Sequence, residues 1–431
     1  MLRTSVPVVL TALAVASVHA PALADERDPA SRGTLVATVH VDHLDLSSRE
    51  PALLDHRAGV LFVAGYGRDD DGEVQATPRL WRSDDSGSSW HRVDVGSVEQ
   101  GAVGNSDVAL AEGPDGAIYY ASLSFDRAGK QGNSWSGGGV SIGVSRDVGR
   151  TWRWTALSRH QHDDRPWISV DGTNVAHVVW NDGERIYHSS SADHGVAWTA
   201  PTSIHAGGGS SHMAVGPQGQ IAVRITPIGA AGSVFHDRSD VVAVSTDGGK
   251  SWRERAVPGV RQWLGDEASV PRWVEPLAWD ASGRLYLLWT QADGVHLACS
   301  TDQAATWHSW LVERPKDDDI PYYPNLIARG DGELAATWYV GAGVGVKWKA
   351  ALIRVAKGRI ASLTVSDPVS ADAWVPSSQE TFPRIQTSAG EYTGLAWGSN
   401  GSISAAVPIQ DADGHRFGFA YYRFDQRSLT R

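Results

Sequence analysis

Cysteine occurs once in this chain, at Cys299, so no internal disulfide framework can hold the fold together. The residue reads as a small buried apolar side chain. Beyond the N-terminus there is no apolar run long enough to cross a bilayer. Positive charge is also scarce: 38 Lys and Arg face 49 Asp and Glu, a formal net charge of −11. That balance argues against a nucleic-acid partner or an anionic membrane surface. There is no glycine-rich phosphate loop, no Gly-x-Ser-x-Gly elbow and no dinucleotide fingerprint, so neither a nucleotide cofactor nor a serine-hydrolase elbow is expected. A Pro/Ser linker or a shift in composition that would mark a domain boundary is missing too.

The first residues are the exception to the scarcity of apolar runs. Arg3, the apolar stretch Val8 to Val18 and the Ala22-Leu23-Ala24 site read as a secretory leader over residues 1–24. The expected product is a secreted or periplasmic domain spanning residues 25–431.

Five copies of a Ser-x-Asp-x-Gly-x-x-Trp spacing follow. They are Ser83-Asp85-Gly87-Trp90, Ser145-Asp147-Gly149-Trp152, Ser191-Asp193-Gly195-Trp198, Ser245-Asp247-Gly249-Trp252 and the altered Ser300-Asp302-Ala304-Trp307. Their recurrence indicates a repeat architecture. The residue types are those of a turn: Asp folds onto backbone N–H groups, Gly supplies a positive φ, and Trp fills space between sheets. The boxes are therefore read as fold-building.

A second repeat is offset from the first: a short apolar strand often opened by proline, a turn seven or eight residues on, then another apolar strand. The units begin at Pro51, Val108, Pro166, Ser211, Pro276, Pro324 and Pro383, with turns at Gly59, Gly116, Asn174, Gly219, Gly283, Gly332 and Gly390. Several second strands are read as ending in Trp, at Trp180, Trp289, Trp338 and Trp397. Two strands before each box and one on either side of it make a four-stranded blade. The fold expected is all-β, a seven-bladed β-propeller, or a six-bladed one if one hairpin is misread. The segment Thr34 to Val41 should pair with the strand near Phe417 to Phe424, closing the ring and removing sheet edges. The 19 Trp residues suit the wedge-shaped gaps between blades.

In such a fold the starts of the innermost strands converge on a central channel. Those positions hold Arg49 and Glu50, Ser106 and Asp107, Asp164 and Arg165, Ser211 and His212, Glu275, Tyr322 and Tyr323, then Phe382 and Arg384. Arginines, carboxylates and a tyrosine pair gathered at one mouth suit a charged sugar.

At this point the chain resembles the sialidase superfamily of secreted Asp-box propellers, over nearly the whole of residues 25–431. Arg49-Glu50-Pro51-Ala52-Leu53-Leu54 is similar to that superfamily's Arg-Ile-Pro signature with its following Leu. Gly67-Arg68, the acidic run Asp69-Asp70-Asp71 and Arg82 come next, in the superfamily's order. The resemblance implies Arg49 as a carboxylate-binding arginine, one of Asp69, Asp70 and Asp71 as acid/base, and Tyr323 as nucleophile with Glu275 drawing its proton. Planar guanidinium groups meet a carboxylate through paired hydrogen bonds, and a tyrosine nucleophile is a known exception to the paired-carboxylate scheme. Trp289-Thr290-Gln291 lacks the arginine that the superfamily has there. Arg165 and Arg384 would supply charge from other blades, with Arg68, Asp107 and Tyr322 completing the substrate-binding set.

The His160-Gln161-His162-Asp163-Asp164 stretch and the acidic runs Asp69 to Asp71 and Asp317 to Asp319 are read as solvated loops, so no metal is expected. The leading expectation is a monomeric exo-glycosidase acting on the acidic sugars of a glycan. Its rivals are a non-catalytic glycan- or protein-binding propeller, and a polysaccharide lyase on uronic acids with Tyr322 or His212 as base.

Overall fold

A computed structural model describes residues 37–40, 49–66, 77–104, 106–125, 137–160, 162–207, 209–227, 240–258, 276–291, 293–316, 321–341, 347–366, 368–370, 393–398, 401–410 and 417–424. The chain divides into two compact units, Met1–Arg32 and Gly33–Arg431. The first, with the expected leader, lies outside the described residues.

The second unit consists of seven antiparallel sheets. After β1 (Ala37–His40), blade I is β2 (Arg49–His56), β3 (Val60–Tyr66), β4 (Arg79–Ser83) and β5 (His91–Arg92). Blade II is β6 (Val108–Glu112), β7 (Ile118–Phe125), β8 (Gly137–Ser145) and β9 (Arg153–Ala156). Blade III is β10 (Asp164–Val170), β11 (Ala176–Asn181), β12 (Ile186–Ser191) and β13 (Thr202–His205). Blade IV is β14 (Gly209–Val215), β15 (Ile221–Pro227), β16 (Val241–Ser245) and β17 (Arg253–Ala256). Blade V is β18 (Leu277–Trp279), β19 (Leu285–Gln291), β20 (Gly294–Ser300) and β21 (His308–Glu313). Blade VI is β22 (Pro321–Arg329), β23 (Glu333–Val340), β24 (Lys347–Ala356) and β25 (Arg359–Val365), with β26 (Val369–Ser370) beside β24. Blade VII takes β27 (Gly394–Trp397), β28 (Ile403–Gln410) and β29 (Phe417–Phe424) from the C-terminal end and β1 from the other, Ala37 opposite Phe424 and His40 opposite Tyr421.

Each innermost strand packs against the next, from β2 through β6, β10, β14, β18, β22 and β27 back to β2. The protein is thus a seven-bladed β-propeller, closed by pairing of its two ends as the alternating N-terminal segment predicts. One apolar cluster fills each seam, such as Phe62, Tyr120 and Trp154 between blades I and II, and Tyr322, Trp348 and Tyr422 between VI and VII. A second strand such as β3 is apolar at nearly every position because blades cover both its faces. Fully burying one such side chain contributes roughly 1.5–3 kcal/mol.

The boxes fold as turns. In the first, the Ser83 hydroxyl donates to Asp85 Oδ1 at 2.8 Å and accepts from Gly87 N at 2.8 Å, Ser89 N donates to Asp85 Oδ1 at 2.8 Å, and Trp90 Nε1 donates to Gly87 O at 3.2 Å. The Ser89 hydroxyl also donates to Asp85 Oδ2 at 2.6 Å, and it, then Ser89 N and the Ser83 hydroxyl, pull the Asp85 carboxyl down to about 2. Ala304 holds φ 66 where the other boxes have glycine.

The seventh hairpin differs from its expected place. Trp397 ends the innermost strand β27, and the turn follows it at Gly398 to Ser402, with Gly401 at φ 84. Gly390 satisfies the same spacing rule, but it and Pro383 lie outside the described residues.

Candidate functional site

Three innermost strands carry, at or one residue after their start, two residues and then a proline: Arg49-Glu50-Pro51, Asp164-Arg165-Pro166 and Tyr322-Tyr323-Pro324. Proline has no N–H to give the ladder, and in each strand the register slips there: between Arg49 and Ala52, Asp164 and Trp167, Tyr322 and Asn325. The residue before each proline takes a positive φ, 48 at Glu50, 49 at Arg165 and 46 at Tyr323. A left-handed conformation costs an L-residue about 1–2 kcal/mol. Three repeats of one strained bulge are the pattern of backbone strain that gathers at binding sites.

Glu50 is the node of the site. It is buried and accepts a 2.8 Å hydrogen bond from Tyr66 Oη at the end of β3. Its carboxyl also neighbours that of Asp107, the residue before β6. Backbone bonds fix Asp107 in turn: Ser106 N donates to Leu123 O at 3.0 Å, and Leu123 N donates to Asp107 O at 2.9 Å. Burial pushes the Asp107 carboxyl well above the usual carboxylate range, the charges of Glu50 and Asp164 push it further, and Arg165 opposes them. Asp107 is therefore the carboxyl of the site that burial and its neighbours bias most toward the protonated, donating form.

Asp164 and Arg165 stand beside this pair. Arg165 Nε lies 3.6 Å from Asp164 Oδ2, and the Asp164 side chain is 40 % exposed, so it faces solvent where Asp107 does not. Asn181 Nδ2 donates to Asp164 O at 3.2 Å, which holds the opening of β10. Blade VI adds tyrosines: Tyr322 and Tyr339 stack with centroids 5.4 Å apart, and Tyr323 meets Tyr322 edge-on at 5.4 Å. Burial, with Tyr422 and Glu50 as neighbours, raises the Tyr339 phenol, which links this cluster to the carboxyl pair. Tyr322 is fully buried, and its phenol is raised chiefly by burial.

On the wall between blades III and IV, His212 rests on the Trp167 ring at 4.5 Å. Burial and the Arg224 charge push this imidazole down to about 4. Arg224 Nη2 donates to Asp240 Oδ2 at 2.9 Å, both side chains being 1 % exposed.

Of the residues expected from sequence, Asp107, Arg165, Tyr322 and Tyr323 stand at the openings of blades II, III and VI. Arg49 pairs in the ladder with Tyr66 and occupies the register of Asp164 and Tyr322. Arg68, Asp69, Asp70, Asp71, Glu275 and Arg384 lie outside the described residues. Tyr66 and Tyr339 were not among the expected site residues, nor was Glu50 beyond its place in the ring. A signal for the tyrosines exists: each is the register partner of the residue two before a proline.

No protein-family model matches the chain, and no curated protein does. Solved structures similar to it include the α-L-arabinanase of Penicillium chrysogenum complexed with arabinobiose, 11% identical over 91% of this chain and 98% of that one, with a TM-score of 0.46. An ulvan lyase of a polysaccharide lyase family is 11% identical over 91% of this chain and 96% of that one, at 0.48. The Trypanosoma rangeli sialidase in complex with the inhibitor DANA is 13% identical over 72% and 56%, at 0.44. The seven-bladed fold rests on the strand pairings themselves.

Proposed function

We propose that this propeller is an exported glycosidase that cleaves a terminal glycosidic bond of an acidic glycan at the mouth of its hub. The observation that carries the reading is Asp107, a buried carboxyl at the opening of blade II, biased toward its protonated form by burial and by Glu50 and Asp164. Glycoside cleavage needs a proton for the departing oxygen and an electron-rich group for the sugar carbon left behind. Asp107 supplies the proton as the bond between the anomeric carbon and the glycosidic oxygen breaks. Tyr323, strained at the opening of β22, gives its phenolic proton to a carboxylate, the role the sequence resemblance implies for Glu275, and bonds to the anomeric carbon through its oxygen. Water then attacks that carbon and passes a proton to Asp107, while the departing phenolate recovers its own proton from that carboxylate. Arg165 is the cation placed for an acidic substituent on the sugar, and the Tyr66 hydroxyl holds Glu50 in register with Asp107. The N-terminal leader fits action outside the cell, on glycans met there.

The test is turnover of fluorogenic glycosides, a sialoside and an arabinofuranoside among them, by the wild type and Tyr323→Phe, with a uronate polymer followed by ultraviolet absorbance. Cleavage lost in the variant supports the glycosidase. Glycan binding without turnover overturns it in favour of a binding module, and absorbance gained on the polymer overturns it in favour of a lyase.

A further inference from the structure

The rim of blade IV departs from the repeat in a way the hub does not explain. In blade II, the outermost strand sets Arg153 opposite Val144 and Thr155 opposite Ile142. Both side chains close the seam onto the next box: Arg153 Nη2 donates to His194 O at 3.0 Å, and Thr155 Oγ1 donates to Gly195 O at 3.1 Å. Blade IV has Arg253 opposite Val244 and Arg255 opposite Val242, so two arginines stand in the registers of Arg153 and Thr155. The box they face is the altered one, where Gln303 at φ 59 matches His194 at φ 59 and Ala304 replaces glycine.

The bonds of the blade II seam are not repeated here. Among the described residues neither Arg253 nor Arg255 has a hydrogen bond or an ion pair, and Arg255 Nε is buried without an acceptor. Trp307 Nε1 reaches across the seam to Ala256 O at 3.1 Å, whereas the tryptophans of the first, second and fourth boxes bond within their own turns. The result is a small pocket lined by Val244, Thr246, Ser251, Arg253, Arg255 and Gln303.

The nearby carboxylates are committed elsewhere. Asp247 accepts from Ser245, Lys250 N and both the backbone and hydroxyl of Ser251, and Asp302 accepts from Ser300 and Thr306. Glu254, on the opposite face of β17, pairs with His205 at 2.6 Å. Among the described residues, two guanidinium groups thus share one pocket with no fixed counter-charge, in a chain whose net charge is −11. A buried, unpaired guanidinium N–H is costly, and a charged acceptor satisfies it best.

We infer that the seam between blades IV and V is an anion-binding site on the rim of the propeller, in which Arg253 and Arg255 hold an oxyanion, a sulfate or a carboxylate group. The site is separate from the hub and needs no turnover to be seen.

The experiment is a calorimetric and thermal-shift titration of the full chain with sodium sulfate and with sodium acetate, at ionic strength matched by sodium chloride. The expected result is saturable binding of one of the two anions, weakened about tenfold or more in Arg255→Gln and abolished in R253A/R255A, with Arg359→Ala on exposed β25 binding like the wild type. Preference for sulfate identifies a sulfate ester as the natural group, and preference for acetate identifies a carboxylate. Absence of saturable binding by the wild type, or binding undiminished in Arg255→Gln, overturns the inference.

Discussion

Glu50 of blade I and Asp107 of blade II set two buried carboxyl groups beside each other. Burial, then the charges of Glu50 and Asp164, push the Asp107 carboxyl well above the usual carboxylate range. Arg165 works against that shift. Replacing it as Arg165→Ala removes the one effect that lowers the Asp107 carboxyl, so the alkaline limb of the kcat/KM profile should move to higher pH. A limb that stays in place would show that Arg165 does not act on Asp107.

Adjacent glycines in the fourth box separate backbone strain from packing. Gly248 and Gly249 have φ of 74 and 84, yet a Cβ at Gly248 would meet nothing within 4 Å, whereas one at Gly249 would lie well inside the His188 ring. Gly248→Ala should cost about 1–2 kcal/mol, from the left-handed backbone alone. Gly249→Ala should cost a further 1–3 kcal/mol or so from overpacking. Equal costs by chemical denaturation would contradict the tight contact between this box and blade III.

The partner of that glycine carries a pH dependence. His177 Nδ1 and His188 Nε2 are 3.1 Å apart in the buried wall of blade III, with Asp171 Oδ2 3.7 Å from His177 Nε2. Burial, with the His177 charge second, lowers His188 to about 3, and burial also lowers His177, against the pull of Asp171. The unfolded chain binds protons near pH 6.5 where the folded one does not. Stability is thus full above that pH and falls on acidification toward the folded values. Asp55, raised to about 6 mainly by burial, works in the opposite sense, so the comparison must be with a variant. Relative to H177F/H188F, the wild type should lose about 1.4 kcal/mol more per pH unit for His188 between roughly pH 6 and 4, with His177 adding to the loss in the same direction. Parallel curves would contradict the neutral pair.

Strand and turn positions are legible here because glycine and proline punctuate every unit. Gly59, Gly116, Asn174, Gly219, Gly283 and Gly332 all take the positive φ their turns require. The seventh hairpin misleads because Gly390 and Gly401 both offer a glycine at plausible spacing, and only strand pairing distinguishes them. At the site, the prolines mark where β2, β10 and β22 open, so Arg165, Tyr322 and Tyr323 are readable by position, with Asp107 before β6. Glu50 looks like a mere departure from an apolar signature, because its role depends on Asp107 from another blade. Tyr66 and Tyr339 end strands that otherwise read as buried core, so their alignment with the openings of β2 and β22 emerges only once the ladder is paired.

The central claim is that Asp107 donates the proton to a departing glycosidic oxygen, and kcat/KM of Asp107→Asn on two leaving groups tests it most directly. On a glycoside with a poor leaving group, the variant should be slower by about 10²–10⁴-fold, while a dinitrophenyl glycoside, whose leaving group needs no proton, should be cleaved at close to the wild-type rate. An equal loss on both substrates, or no loss on either, would contradict the account.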